Sequence, residues 1–253
     1  MPASALLAAS AAALKVASLN LCTDELLLAL AAPGQIVSVT HLAQRPQETS
    51  LWRQARRYPM NDGSLLSVVG RKPDFIITMG SGGRDRARIA RRLGIRLIDL
   101  PFPQRLSDVE AAISTVAQAL GRHDVGRQWL AKIGALKRSR PPGRPDTIWL
   151  GGGGQSVRAN SLAAGWMRLA GFEQRQLNGD RVSLEQLLVR PPAILLRSDY
   201  RSGQYSRAQR WLKHPLAKGT GKSRTIATDG RPWTCMGPPM VNEVLRLRAT
   251  LRR

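Results

Sequence analysis

The residues best suited to catalysis or metal ligation in this 253-residue chain are three histidines, His41, His123 and His214, and two cysteines, Cys22 and Cys235. Their spacing places no histidine beside a serine or cysteine nucleophile with an orienting acid. No His/Cys/Asp/Glu cluster has metal-ligand spacing, so direct protein coordination of a free ion is not expected. His123 falls inside a helical pattern and reads as a surface or packing residue. His41 sits at a strand end and is the one histidine placed to reach a ligand. The chain therefore reads as a non-enzyme. Cys22 and Cys235 lie far apart; a disulfide between them is allowed by the sequence but not demanded by it.

Glycine-rich turns are the second chemical signal. GTGKS at Gly219 to Ser223 looks like the end of a phosphate-binding loop, but that spacing requires glycine at 216, where Leu216 stands. GGGGQS at Gly151 to Ser156 lies between a strand and a helix and lacks the dinucleotide spacing. Such a turn serves positive φ or close approach of a ligand to backbone, and Gly80-Ser81-Gly82-Gly83 offers the same.

Ligands of open α/β sheets sit beyond the carboxyl ends of the strands. At those ends the sequence places Thr40 and His41, then Met79, Gly80 and Ser81, then Gly153 and Gln155, then Arg197, Asp199 and Tyr200, and finally Trp233 and Met236. These are the expected ligand-binding residues. Arg197 and Arg201, with Tyr200, suit an anionic or carboxylate-bearing ligand, because guanidinium forks pair bidentately with such groups.

The elements that must position these residues are organised around a repeat. Ser64 to Thr78 reads SLLSVVGRKPDFIIT, and Ser183 to Arg197, 119 positions on, reads SLEQLLVRPPAILLR. Ser64/Ser183, Leu65/Leu184, Arg71/Arg190 and Pro73/Pro192 match, and the apolar positions fall in step. Each copy reads as a short amphipathic helix, a proline that stops it, and an apolar strand. Strands alternating with helices imply parallel β-α-β units. Thr23 or Asp24 is expected to cap a first helix over Glu25 to Ala32. Between the two copies, Ser107 to about Arg138 keeps a helical period, and Ser107 with Glu110 matches a capping box. Gly121 within it costs about 1 kcal/mol relative to Ala and marks a place for a kink or break. The expected fold is α/β: two Rossmann-like lobes with parallel sheets, joined by one long α-helix, with a ligand cleft between them. The lobes are expected at 15–104 and 141–253, with the connecting helix over 105–140.

Size and composition agree with two lobes that each bury a core. Hydrophobic content is 43%, and no apolar run reaches the roughly 20 residues that span a membrane. Net charge is +22 with a pI near 11.6. Only seven residues are lysine, and arginine is scattered through nearly every segment with no long basic tail. That pattern suits anionic ligands or an acidic surface at least as well as nucleic acid. Residues 1–14, MPASALLAASAAAL, read as a degraded or truncated signal peptide without its charged start, or as an alanine-rich leader.

Taken together, KVASLNLCTDELLLAL, RKPDFIIT with RRLGIRLIDLP after it, the long helix, VSLEQLLVRPPAILL and the WTCMGPPMVNEVLRL ending make the chain resemble a known family over about residues 15–251. It is similar to the periplasmic substrate-binding proteins of the helical-backbone class, which serve ATP-driven importers of ferric siderophores, haem and vitamin B12. The resemblance implies a monomeric periplasmic receptor without a cofactor. Its ligand would be a metal chelate, a ferric siderophore or a corrinoid such as cobalamin, and its partners an ABC permease and the ATPase subunit. It further implies that a glutamate on each lobe docks onto the permease. Glu185 holds that position in the second lobe, whereas Leu66 stands at the first-lobe position, with Glu48 or Asp62 as candidate substitutes. The alternative is a basic nucleic-acid-binding or regulatory protein on a related α/β fold.

Overall fold

The computed structural model describes residues 14–80, 84–219 and 222–252. Residues 1–13 of the leader and the expected site residue Ser81 lie outside the described residues, as do 220 and 221 of the GTGKS segment. Among the described residues no helix is long and apolar enough to cross a membrane.

The first lobe carries β1 (Val16–Ser18), α1 (Leu21–Leu30), β2 (Ile36–Thr40), α2 (Trp52–Ala55), β3 (Met60–Asn61), α3 (Leu66–Val69), β4 (Phe75–Met79), α4 (Arg84–Arg92) and β5 (Arg96–Leu100). Its strands run parallel in the order β3-β2-β1-β4-β5. Two helices, α5 (Leu106–Ala119) and α6 (His123–Arg138), lead to the second lobe. That lobe holds β6 (Asp146–Leu150), α7 (Leu162–Ala170), β7 (Glu173–Gln174), α8 (Leu184–Val189), β8 (Ile194–Ser198), α9 (Arg207–Trp211), α10 (Pro215–Lys218), β9 (Arg224–Thr228), α11 (Pro232–Cys235) and α12 (Met240–Leu251). Its parallel sheet is ordered β7-β6-β8-β9. The sequence repeat is real in three dimensions: α3–β4 and α8–β8 occupy the same place, each strand lying between the first strand and the last strand of its sheet.

Three local expectations are corrected. The first helix begins at Leu21, and Asn20 caps it: extended at φ −152°, Asn20 accepts from the Thr23 amide through its side chain. Thr23 and Asp24 lie inside the helix and are buried, Thr23 against Ser18 and Asp24 against Thr40. The second correction concerns the long helix. It is a helical hairpin rather than one rod, because Gly121 takes a positive φ of 66° and the chain reverses there. A Cβ on Gly126 would stand 2.6 Å from that of Ala117, and Lys137 reaches back to Glu110 at 2.7 Å. Helical periodicity alone cannot see a turn when both arms bury the same kind of stripe. Thirdly, α5 starts at Leu106 with Arg105 as its cap, so Ser107 lies inside the helix and forms no capping box with Glu110. Asp108 performs the task instead, accepting from the amides of Gln104 and Arg105.

Both lobes share one hydrophobic core, which explains how the strand ends are held in fixed relation. It runs without interruption from Leu27 and Phe75 of the first lobe, through Ile113 and Ile133 of the hairpin, to Trp166, Met240 and Val244 of the second. Two smaller clusters cover the other face of each sheet, around Ile76 and around Leu195. Cys22 of α1 and Cys235 of α11 form a disulfide across the lobes, with Cα atoms 5.1 Å apart. The pairing that the sequence left open is thus made.

Candidate functional site

All nine strands run parallel within their sheets, so β6, β8 and β9 end on the side that faces the first lobe. Beyond those ends lies a cavity of about 580 Å³. Its wall is built from the second lobe: the end of β6 with the glycine turn, Ala163 of α7, the end of β8 with the loop after it, the start of α9, Gly230 after β9, and α11 with Met236. Trp149 and Trp233 supply the aromatic wall, their ring centroids 6.0 Å apart at 54°. Trp233 is held by donating its indole N–H to Thr228 Oγ1 at 2.8 Å. The indole N–H of Trp149 is buried and has no acceptor among the described residues. The glycine turn passes close by because it has no side chains: Gly153 and Gly154 take φ of 67° and 76°, and a Cβ on Gly154 would strike Val182 O at 2.4 Å.

The cavity's edge is tied to the first lobe. Tyr200 Oη donates to Glu48 Oε2 at 2.8 Å, and Arg201 Nη2 donates to both Glu48 oxygens at 2.9 and 3.1 Å. Arg231 adds a bond to the Pro46 carbonyl at 3.1 Å. Burial and the Glu48 carboxylate hold the Tyr200 phenol above its ordinary value, and the bond to Glu48 raises Arg201. Among the lining residues Arg201 is the only one with a full charge, and Glu48 compensates it.

No family model matches the sequence, and no curated protein matches it either. Solved structures do match. The periplasmic heme-binding protein HutB of Vibrio cholerae superposes with a TM-score of 0.72 at 18% identity, over 95% of this chain and 99% of that one. The periplasmic heme-binding protein RhuT from Roseiflexus sp. RS-1, in apo form, gives 0.70 at 22% identity over 94% and 97%. The periplasmic vitamin B12 binding protein BtuF of Vibrio cholerae gives 0.64 at 18% over 95% and 97%. The fold is that of the helical-backbone periplasmic binding proteins.

Within this binding-protein fold the expected site residues divide by lobe. Gln155, Tyr200, Trp233 and Met236 line the cavity, and Gly153 belongs to the turn whose neighbours Gly151 and Gly152 do so. Asp199 serves the adjacent backbone, accepting from the Gly230 amide. Arg197 turns away: it is half-buried, its Nη2 donates to the Leu212 carbonyl, and burial pushes its pKa down. In the first lobe Thr40 is buried and donates to Asp24, while the His41 amide bonds to Asn61 O. Met79 is buried, and Gly80 is exposed with the Phe102 ring standing where a Cβ would be. These four are not among the lining of the second-lobe cavity. A β-strand end determines which residues are near a cleft, not which of them point into it.

Trp149, Gln204, Ser206 and Gln209 line the cavity without having been expected. For Trp149 a signal existed, since it stands one place before the last residue of an apolar strand that leads into the glycine turn. Gln204 lies in an irregular loop, while Ser206 caps α9 and Gln209 stands in its first turn, a helix of five residues that is too short for a period to be read. Of the docking candidates, Glu185 is exposed on the first turn of α8, and Leu66 is exposed on the first turn of α3. Glu48 cannot substitute for a docking charge, being buried and bound to Tyr200 and Arg201. Asp62 is exposed, and bonds from Ser64 and its neighbours hold its carboxyl down at about 2.

Proposed function

We propose that this chain is the periplasmic receptor of an ABC importer, carrying a chelated metal complex in its interlobe cleft to a membrane permease and its ATPase. The observation that carries the reading is the 580 Å³ cavity beyond the strand ends, walled by Trp149, Trp233 and a glycine turn that keeps backbone close to its contents. Two indoles and bare backbone suit a broad, rigid, largely apolar ligand.

Neighbours of the same fold are named for haem and for vitamin B12. Both are metal macrocycles, which supports a macrocycle such as haem or a corrinoid over an open-chain ferric siderophore. The shared core, the helical hairpin and the interlobe disulfide support binding with little movement of the lobes. Glu185 is the residue for permease contact, with the first-lobe contact at Leu66 apolar.

The test is titration of purified protein with hemin, cyanocobalamin and a ferric siderophore, followed by absorption and tryptophan quenching. Saturable one-to-one binding of a macrocycle is expected. Failure of all three to bind would sink the reading. The neighbours lend no support to the nucleic-acid alternative.

A further inference from the structure

A second cavity of about 670 Å³ lies at the far pole of the second lobe, where the strands begin rather than end. Arg140 of the segment after α6, Arg224 at the start of β9, and Arg248 and Arg252 at the end of α12 converge on it. No aspartate or glutamate is among its lining residues. Arg248 is buried, and each of its bonds goes to a neutral acceptor: Nε to Leu169 O at 2.8 Å, Nη1 to Ser139 Oγ at 2.8 Å and Nη2 to Leu136 O at 2.7 Å. Arg224 likewise donates to the Thr250 carbonyl at 2.8 Å. Among the described residues none of the four arginines forms an ion pair. Glu173, on the adjoining edge strand, is already held by Arg144 and Arg168.

Four guanidiniums around one groove repel one another, and Arg248 has given up water for carbonyls that leave its charge uncompensated. Burial and the Arg252 charge together push its guanidinium down. An anion in the groove would relieve both penalties. A phosphate group offers more acceptor oxygens than a carboxylate and matches several planar forks at once. Pro141 and Leu251 supply apolar wall beside the charges, which favours a phosphate attached to an organic group.

We propose that the Arg140–Arg224–Arg248–Arg252 groove is a binding site for a phosphate-bearing ligand, separate from the cleft and independent of what the cleft holds. The phosphate could belong to a soluble phosphoester or to a phospholipid headgroup, and the experiment separates the two. Calorimetric titration with inorganic phosphate and glycerol 3-phosphate reads the soluble source. Flotation with phosphatidylglycerol vesicles, against pure phosphatidylcholine, reads the membrane source. Arg140 and Arg252 are exposed and make no bond the fold depends on, so R140E/R252E carries the test. R91E/R92E on the exposed end of α4 is its charge-matched control.

Binding of either phosphate source, weakened about tenfold or more in R140E/R252E and within about twofold of wild type in R91E/R92E, is the expected result. Binding of the soluble phosphates assigns the soluble source, and binding of the vesicles alone assigns the headgroup. Absence of binding to every probe overturns the site. So does equal loss in both double variants, which would reduce the effect to the chain's overall charge. Hemin titration of the same variants keeps this result distinct from the cleft: it is expected to be unchanged.

Discussion

The phenol of Tyr200 donates to the carboxylate of Glu48 at 2.8 Å, although the two residues are 152 positions apart and belong to opposite lobes. The same carboxylate takes Arg201, so a single buried acid of the first lobe holds the rim of a cavity whose walls come from the second. The contact explains why Tyr200 and Arg201 stay at the rim: both are oriented by a partner outside their own lobe.

Replacing that acid tests the relationship. Glu48→Gln keeps an oxygen for Tyr200 but removes the charge facing Arg201. A loss of about 1–3 kcal/mol in unfolding free energy is expected from denaturant titration. Because Glu48 adds to burial in holding the phenol up, spectrophotometric titration should show one tyrosine ionising at lower pH in the variant. An unchanged titration would mean that burial alone sets it.

The buried acids of α1 give stability a defined pH dependence. Burial is the largest cause in pushing Glu25 from 4.5 up to about 8 and Asp24 from 3.8 up to about 6. A carboxyl raised on folding holds its proton more tightly in the folded state. Its stabilising contribution is complete below the unfolded value and is lost as pH rises through the folded one. Tm should therefore fall as pH climbs from about 5 to about 8.5, and Glu25→Gln should flatten much of that slope. Thermal unfolding across the window decides it; equal slopes in both proteins would contradict it.

The Cys22–Cys235 bridge closes a loop across a sequence separation of 213. Chain-entropy arguments put such a constraint at about 2–5 kcal/mol. Cys22→Ser/Cys235→Ser should accordingly unfold at lower urea, and added reductant should shift wild type but not the double variant. Because the lobes share one core, the variant is still expected to fold.

At the cavity, Trp149→Ala removes half of the aromatic wall and the unpartnered indole N–H. Affinity for the macrocycle that binds wild type should drop about tenfold, on the scale of one aromatic contact. Circular dichroism should remain that of wild type. Unaltered affinity would place the ligand elsewhere in the cleft.

Docking separates from binding. Glu185→Lys reverses an exposed charge that is not among the cavity lining, so ligand titration should be indifferent to it. In proteoliposomes containing the cognate permease and ATPase, the same variant should lose most of the receptor's stimulation of ATP hydrolysis. Retained stimulation would remove Glu185 from the contact.

Much of the fold was legible because it is written in short-range patterns. The apolar runs at Phe75–Met79 and Ile194–Ser198, the prolines before them and their 119-residue spacing declare a duplicated α/β lobe. The two-residue strands Met60–Asn61 and Glu173–Gln174 were not legible, since two residues carry no period. The site was half legible for a related reason. Tyr200, Trp233, Met236 and Gln155 follow strand ends and do line the cavity, but Arg197, also at a strand end, faces the Leu212 carbonyl instead.

By itself, then, the sequence determined the two parallel α/β lobes and the side of each on which loops gather, because strand and helix periods and strand polarity are local properties. Tertiary structure alone decided the rest. It folded one helical stripe into a hairpin at Gly121, closed Cys22 onto Cys235, and gave Glu48 to Tyr200 and Arg201 rather than to an outside partner. It also gathered four scattered arginines into one groove. Each of those depends on distances between residues remote in the chain, and such distances exist only once a shared core has set one lobe against the other.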